Sequence, residues 1–228
     1  MLMRLLEHEL LALRKDLIEM WKLVNSQVIN ATEAIMSFNQ DIAQKVVVRE
    51  RKVDAFELKI DSACEHILAL YHPLANDLRF VLAVMKINSN LERIADFAYG
   101  ISKIMIAHPS IIIDAEVISD SRFNLMSKEL VKMLNQALES FDSEMTDKAS
   151  SIFFEDTLID EINNQAPEII THYLQLNPDR IFDCLQLIGI FRKMERIGDH
   201  CSNIAEEIIF YIEAKVIKHS QQDNDDQS

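Results

Sequence analysis

One six-residue motif occurs twice in the chain and decides how the rest of the sequence is interpreted. Leu91-Glu-Arg-Ile-Ala-Asp96 recurs as Met194-Glu-Arg-Ile-Gly-Asp199, 103 residues later. A second repeated segment lies upstream. Glu57-Leu-Lys-Ile-Asp61 matches Asp156-Thr-Leu-Ile-Asp160, 99 residues later. The difference between the two distances fits a slightly longer loop in the second half. The chain therefore contains two copies of one unit, whose period is far longer than that of a solenoid repeat.

Apolar residues recur at steps of three and four along almost the whole chain, which is the signature of amphipathic helices. Only 3 glycines and 4 prolines occur in 228 residues, and strands and tight turns consume such residues. Breaks are predicted near residues 37–40, 71–77, 107–109, 140–143 and 176–179, which leaves six helices of about 25–35 residues. We therefore predict an all-α fold of two tandem three-helix bundles, built from six long antiparallel helices with an internal pseudo-twofold repeat.

The predicted boundary between the two copies lies at Pro109, near the midpoint of the chain. Residues 1–108 are assigned to the first three-helix repeat and residues 109–219 to the second. Residues 220–228 are acidic and contain no apolar side chain, so a disordered tail is expected there. Pro167 falls inside the expected fifth helix, and we expect it to kink or restart that helix.

The charge of the chain excludes several classes of function. Twenty-three basic and 37 acidic residues give a net charge of −14, whereas proteins that bind nucleic acid need a basic surface. The same sign argues against attachment to anionic lipid, and no apolar run approaches the ~20 residues of a spanning helix. Three cysteines without a CxxC pair indicate reduced thiols. We expect a cytoplasmic protein without direct membrane insertion, whose partners are cations or basic protein surfaces.

Each copy carries two pairs of acidic residues that are four positions apart. Four positions are about one helical turn, so both members of a pair share a helix face, where their like charges repel each other. Each pair also borders an apolar stripe, so carboxylates from facing helices can converge on one partly exposed cation. Such oxygen ligands suit Mg²⁺, Mn²⁺, Ca²⁺ or iron. The pairs are Glu57/Asp61, Glu92/Asp96, Asp156/Asp160 and Glu195/Asp199.

Several alternatives stay open at this point. On the fifth helix either Glu155 or Asp156 reaches the cation, because Glu155 falls within the apolar stripe of Ile152 and Ile159. A solvated acidic face with Arg and Lys neighbours, on a metal-free helical scaffold, is one other interpretation, and a carboxylate-bridged metalloenzyme is another. No Glu has a His three residues on, as a ferritin-like di-iron site requires. No nucleophile–base arrangement or phosphate-binding glycine loop is visible either, so we predict no catalytic residues.

Two segments of the chain resemble the PhoU family, accessory regulators of high-affinity phosphate transport. Pro73-Leu-Ala-Asn-Asp-Leu-Arg79, followed by Glu92-Arg-Ile-Ala-Asp96, is similar to the first repeat of that family. Residues 194–207, with the ending Val216-Ile-Lys-His219, resemble its second repeat and terminal helix. The resemblance extends from the first helix to His219.

The resemblance implies a non-enzymatic, cytoplasmic homodimer that negatively regulates phosphate-starvation (Pho regulon) signalling. Its implied partners are the Pst transporter ATPase and a phosphate sensor histidine kinase. It also implies a multinuclear iron or zinc centre on the acidic motifs, with Mg²⁺ or Mn²⁺ possible from the ligand chemistry. The implied metal ligands are Glu57, Asp61, Glu92, Asp96, Asp156, Asp160, Glu195 and Asp199.

Overall fold

The computed structural model describes residues 2–111 and 113–214 of the chain. These residues form α-helices and one 3-10 turn, and no strand occurs among them, which confirms the predicted all-α class. The 3-10 turn, Pro178–Arg180, directly precedes the last helix. The helices are α1 (Leu2–Ser37), α2 (Gln40–Tyr71), α3 (Asn76–Ala107), α4 (Ala115–Asp120), α5 (Phe123–Ser143), α6 (Asp147–Leu176) and α7 (Ile181–Glu213).

The long helices end where the sequence predicts breaks, and local chemistry accounts for several of these ends. The side chain of Asn39 caps α2, because its Oδ1 accepts hydrogen bonds from the backbone N–H groups of Asp41 and Ile42 at 3.0 and 3.3 Å. At its other end α2 stops at His72, which has a left-handed backbone with φ 48°. Pro73 follows directly and cannot continue a helix.

Two features of the second half differ from the sequence-based expectation. The six-residue helix α4 was not predicted, and it shortens the helix that follows, α5, to 21 residues. Of the two outcomes expected at Pro167, the restart does not occur, since α6 runs unbroken from Asp147 to Leu176. Pro167 itself is exposed, whereas Ala166 and Ile170 beside it are buried. Packing of that buried face therefore holds the helix together at the position where proline removes one backbone donor.

The helices form two groups of three that pack side by side. Helices α1, α2 and α3 contact one another, as do α5, α6 and α7, while α3 lies along α7 and α1 against α5. Trp21, which is fully buried, joins the two groups by donating a hydrogen bond from Nε1 to the carbonyl of Leu134 at 3.2 Å. The predicted boundary at Pro109 falls in the connection between α3 and α4. The predicted tail, residues 220–228, lies outside the described residues.

Helices α3 and α7, which are the equivalent helices of the two copies, run antiparallel. Lys86 pairs with Glu207 at 2.8 Å, and further along α3 Asn90 meets His200 at 2.7 Å. The two LERIAD-type motifs therefore lie near the middle of the same helix–helix contact. Among the described residues, no helix is long and apolar enough to cross a membrane.

Candidate metal centres

The second copy brings three predicted ligands together. One carboxylate oxygen from each of Asp160, Glu195 and Asp199 lies within 4.8 Å of the other two. Glu195 and Asp199 project from neighbouring turns of α7, and Asp160 reaches them from α6. In the part of the chain that the structure describes, this is the one group of three such side chains at that spacing. Its oxygen ligands are of the type that hard cations prefer.

A glycine in the second motif lets α6 approach α7 closely at this point. A Cβ atom at Gly198 would lie 3.0 Å from Oδ1 of Asp156 and 3.2 Å from Cγ2 of Ile159. The first copy has Ala95 at the matching position. The second copy thus combines a glycine on α7 with the shorter acid, aspartate, on α6, where the first copy has Glu57. The small residue on α7 therefore leaves room for the side chains of Asp156 and Ile159 on α6.

The fourth predicted ligand of the second copy, Asp156, is placed differently from the other three. Asp156 is only 7% exposed, and its Oδ2 accepts a hydrogen bond from Oγ of Ser202 at 2.8 Å. It therefore faces α7 but lies outside the group of three carboxylates. Its neighbour Glu155 faces α5 instead, where it pairs with Lys132 at 2.8 Å. Of the two residues that the sequence left open, Asp156 is the one directed toward α7.

The four predicted ligands of the first copy are all half-buried, but their arrangement is looser. The amide of Asn88 on α3 donates to Oδ1 of Asp61 at 2.8 Å and to the backbone carbonyl of Glu57 at 3.1 Å. This amide ties α2 to α3 and orients one carboxylate. No three ligand atoms of this copy meet the 4.8 Å spacing found in the second copy, within the described residues.

The first copy is marked by partly buried acids whose pKa values are raised. Burial raises the pKa of Glu92 to about 7, with further contributions from the charges of Asp96 and Glu57. The pKa of Glu57 is also raised, by burial and then by Asp61. Because desolvation and like charges both disfavour ionised carboxylates, a cation at this position would be favoured electrostatically.

Glu50 is a member of this acidic group that the ligand assignment from sequence omitted. Burial raises its pKa to about 7, and the charges of Asp96, Asp54 and Glu92 add to the effect, whereas the amide of Gln27 lowers it. Glu50 lies seven residues before Glu57, two turns along the same face of α2. That spacing is the signal in the sequence that could have included it.

Each motif also contains an arginine that already pairs with its two acids. Arg93 lies 3.6 Å from Glu92 and 3.4 Å from Asp96. Arg196 lies 3.1 Å from Asp199 and 3.9 Å from Glu195. Burial and the charge of Asp199 raise the pKa of Glu195, and Arg196 partly offsets this. Both arginines are exposed, so their charge neutralises the acids only in part.

A histidine contact links the two motifs across the α3–α7 interface. Nδ1 of His200 lies 2.7 Å from Oδ1 of Asn90, and the ring of His200 contacts that of Phe97 at 5.7 Å between centroids. His200 directly follows Asp199, and Phe97 directly follows Asp96. Burial lowers the pKa of His200. The residues that follow the last acids of the two motifs therefore pack against each other across the α3–α7 interface.

Comparison with known protein families places this fold and its duplicated motifs in one class. The model of the PhoU domain matches residues 17–105 and again residues 123–208, one match in each group of three helices. The two matches together cover well over half of the chain. The protein belongs to the PhoU family.

Individual relatives agree with this assignment along nearly their whole length. A protein of Zymomonas mobilis, named phosphate-specific transport system accessory protein PhoU homolog, is 30% identical over 211 residues, which are 90% of this chain and 85% of the relative. The crystal structure of PhoU from Pseudomonas aeruginosa superposes with a TM-score of 0.85 at 30% identity, covering 92% of this chain and 99% of that one. The phosphate transport system regulatory protein PhoU from Streptococcus pneumoniae gives 0.83 at 25% identity, with 93% and 99% coverage.

These names bear on the question of catalysis. The relatives are described as accessory and regulatory proteins, and the shared fold is a helical scaffold. These names describe regulators and not enzymes, in agreement with the prediction from the sequence, and they give no support to the interpretation as a carboxylate-bridged metalloenzyme.

Proposed function

We propose that this protein is an accessory regulator of a phosphate-specific transport system and acts in the cytoplasm as a homodimer. It restrains phosphate-starvation signalling by linking the transporter ATPase to a sensor histidine kinase. The observation that carries the proposal is family membership over both copies, together with relatives of matching length that are named accessory or regulatory proteins of phosphate transport. The surplus of acidic residues supports basic surfaces on the partner proteins.

A genetic complementation experiment tests the regulatory role. In cells that lack their own PhoU protein, a phosphate-starvation reporter is expected to be active in phosphate-rich medium, and expression of this chain is expected to switch it off. Pull-down of the tagged chain from membranes is expected to recover the transporter ATPase and the kinase. A reporter that stays active although the folded protein is present would contradict the proposal.

We further propose that the protein binds metal at the duplicated carboxylates. In the second copy Asp160, Glu195 and Asp199 would hold the cation, with Asp156 beside them; in the first copy Glu57, Asp61, Glu92 and Asp96 would do so. The convergence of three oxygens supports the second centre, and the raised pKa of Glu92 supports the first. The oxygen ligands fit iron, Mn²⁺ or Mg²⁺, and zinc is suggested by family resemblance.

One observation favours a metal-free scaffold as the competing function. Arg93 and Arg196 pair with the same acids that would bind metal, as they would on a solvated acidic face. Metal analysis of purified protein separates the two. Stoichiometric metal that falls on Asp96→Ala and Asp199→Ala substitution supports metal binding, and protein that stays empty after incubation with iron, Mn²⁺ and zinc supports the scaffold.

A further inference from the structure

A groove lies at the end of the molecule where α1 projects past the start of α3 and the ends of α5 and α7, while α2 still runs beside it from Lys59, which pairs with Asp16, to Tyr71. Arg14 marks the start of the projection, because it contacts Phe141 in the last turns of α5, Phe80 near the start of α3 and Tyr211 near the end of α7. From Arg14 toward the N-terminus, α1 continues for 12 residues, about 18 Å of helix. The groove holds about 380 Å³.

The groove combines an apolar floor with an acidic rim. Leu10, Leu11, Phe80 and Tyr211 supply the apolar surface, and Leu11 is 67% exposed. The rim carries the carboxylates of Glu7, Asp77 and Glu144, against the single guanidinium of Arg14. Arg14 is already paired with Glu144, so the remaining charge of the rim is negative. An occupant of matching chemistry has apolar side chains flanked by basic ones.

The chain supplies such a segment directly beside the groove. Helix α7 ends at Glu213, two residues after Tyr211, which lines the groove. Ala214 then has a left-handed backbone with φ 57°, which turns the chain away from the helix axis. The next residues are Lys215-Val-Ile-Lys-His219, two β-branched apolar residues between two lysines. These lysines are the only Lys or Arg residues after Arg196. Five residues can reach at most about 17 Å from Ala214.

We propose that residues 215–219 dock into this groove, with Val216 and Ile217 on Leu10, Leu11 and Phe80, and with the lysines at Glu7 and Asp77. The contact fastens the end of the second copy to the first helix of the first copy. It thereby covers apolar surface that the packing of the described helices leaves exposed on α1. The proposal is independent of metal binding and of the transport partners.

Thiol labelling at Leu11 tests the proposal in the full-length protein. The native residues Cys64, Cys184 and Cys201 are buried, so Leu11→Cys provides an accessible thiol. We expect a maleimide to label it about tenfold more slowly in the full chain than in the same chain carrying Val216→Asp and Ile217→Asp. Leu58→Cys, 69% exposed on α2, serves as control and is expected to react equally in both backgrounds. Equal rates at Leu11→Cys would overturn the proposal.

A disulfide-trapping experiment identifies the occupant. The doubly substituted chain Leu11→Cys, Ile217→Cys is expected to form its disulfide within one chain under mild oxidation. Leu58→Cys combined with Ile217→Cys is the matched pair that is expected not to do so. Disulfides that form only between chains would assign the groove to a second copy, and absence of any disulfide would leave the segment elsewhere; either result overturns the proposal.

Discussion

The two copies of the acidic motif share their spacing but differ in how the carboxylates are held. In the second copy three oxygens already lie within 4.8 Å of one another, and Asp156 is fixed by Ser202. In the first copy Asn88 holds Asp61, and burial, with a further contribution from neighbouring acids, raises the pKa values of Glu92 and Glu50 to about 7. The second copy thus has converging carboxylates, whereas the first has more widely spaced acids whose charges repel one another and are offset in part by Arg93.

Two positions at which the copies differ contribute to this difference, one on α2 and α6 and one inside the motif on α3 and α7. Ala149 takes the place of Glu50 when the second copy is aligned with the first, so the additional acid is missing there. Gly198 takes the place of Ala95 and permits close contact between α6 and α7. Equal spacing of acids along a helix therefore does not give equal arrangements of carboxylates, because the residues around the acids differ between the copies.

The largest effect is expected from a substitution that disturbs the close contact between α6 and α7 at Gly198. Gly198→Ala is expected to lower the free energy of unfolding by about 1–2 kcal/mol, because its Cβ would crowd Asp156 and Ile159. Gly189→Ala on the same helix has nothing within 4 Å of its Cβ and is expected to raise stability by about 0.5–1 kcal/mol. Urea unfolding of the two variants measures the difference, and equal stabilisation by both would show that the contact is not tight.

The next prediction concerns the affinity of the two centres for metal. Under the proposed metal binding, Asp160→Asn is expected to weaken Mn²⁺ binding about tenfold, close to 1.4 kcal/mol, since it removes one of three converging oxygens. The matched change Asp61→Asn is expected to have a smaller effect, because Asn88 already engages that carboxylate. Calorimetric titration distinguishes the sites. A larger loss for Asp61→Asn would reverse the ranking of the two copies.

The sequence predicts the features that depend on neighbouring residues in the chain, and it does not predict those that depend on contacts between helices. The helix ends at Asn39 and Pro73 and the spacing of the acidic pairs are local features, and sequence patterns report them directly. The short helix α4 and the unbroken path of α6 through Pro167 depend on packing against other helices, which no local pattern encodes. The direction of Glu155 toward Lys132 also depends on a partner from another helix.

A pH dependence is expected from the crowded first copy. The pKa values of Glu50 and Glu92 rise from 4.5 to about 7 in the folded protein. Between these pH values the folded chain keeps protons that the unfolded chain has released, so the free energy of unfolding falls as the pH rises from about 4.5 to 7. In metal-free protein, Glu50→Gln is expected to remove roughly half of this decline. Glu116→Gln, at an exposed position of α4, is the control that should leave the slope unchanged.

The smallest effects are expected at the arginines of the two motifs. Arg93 and Arg196 are exposed, and their ion pairs resemble surface pairs, so Arg93→Met and Arg196→Met are each expected to change the free energy of unfolding by less than about 0.5 kcal/mol. Metal affinity is the more informative measurement. If the arginine competes with the cation for the same oxygens, Arg196→Met should strengthen Mn²⁺ binding about threefold in the second copy. A weaker affinity would mean instead that Arg196 holds Asp199 in position, and that the converging arrangement of the second centre depends on an ion pair as well as on close helix packing.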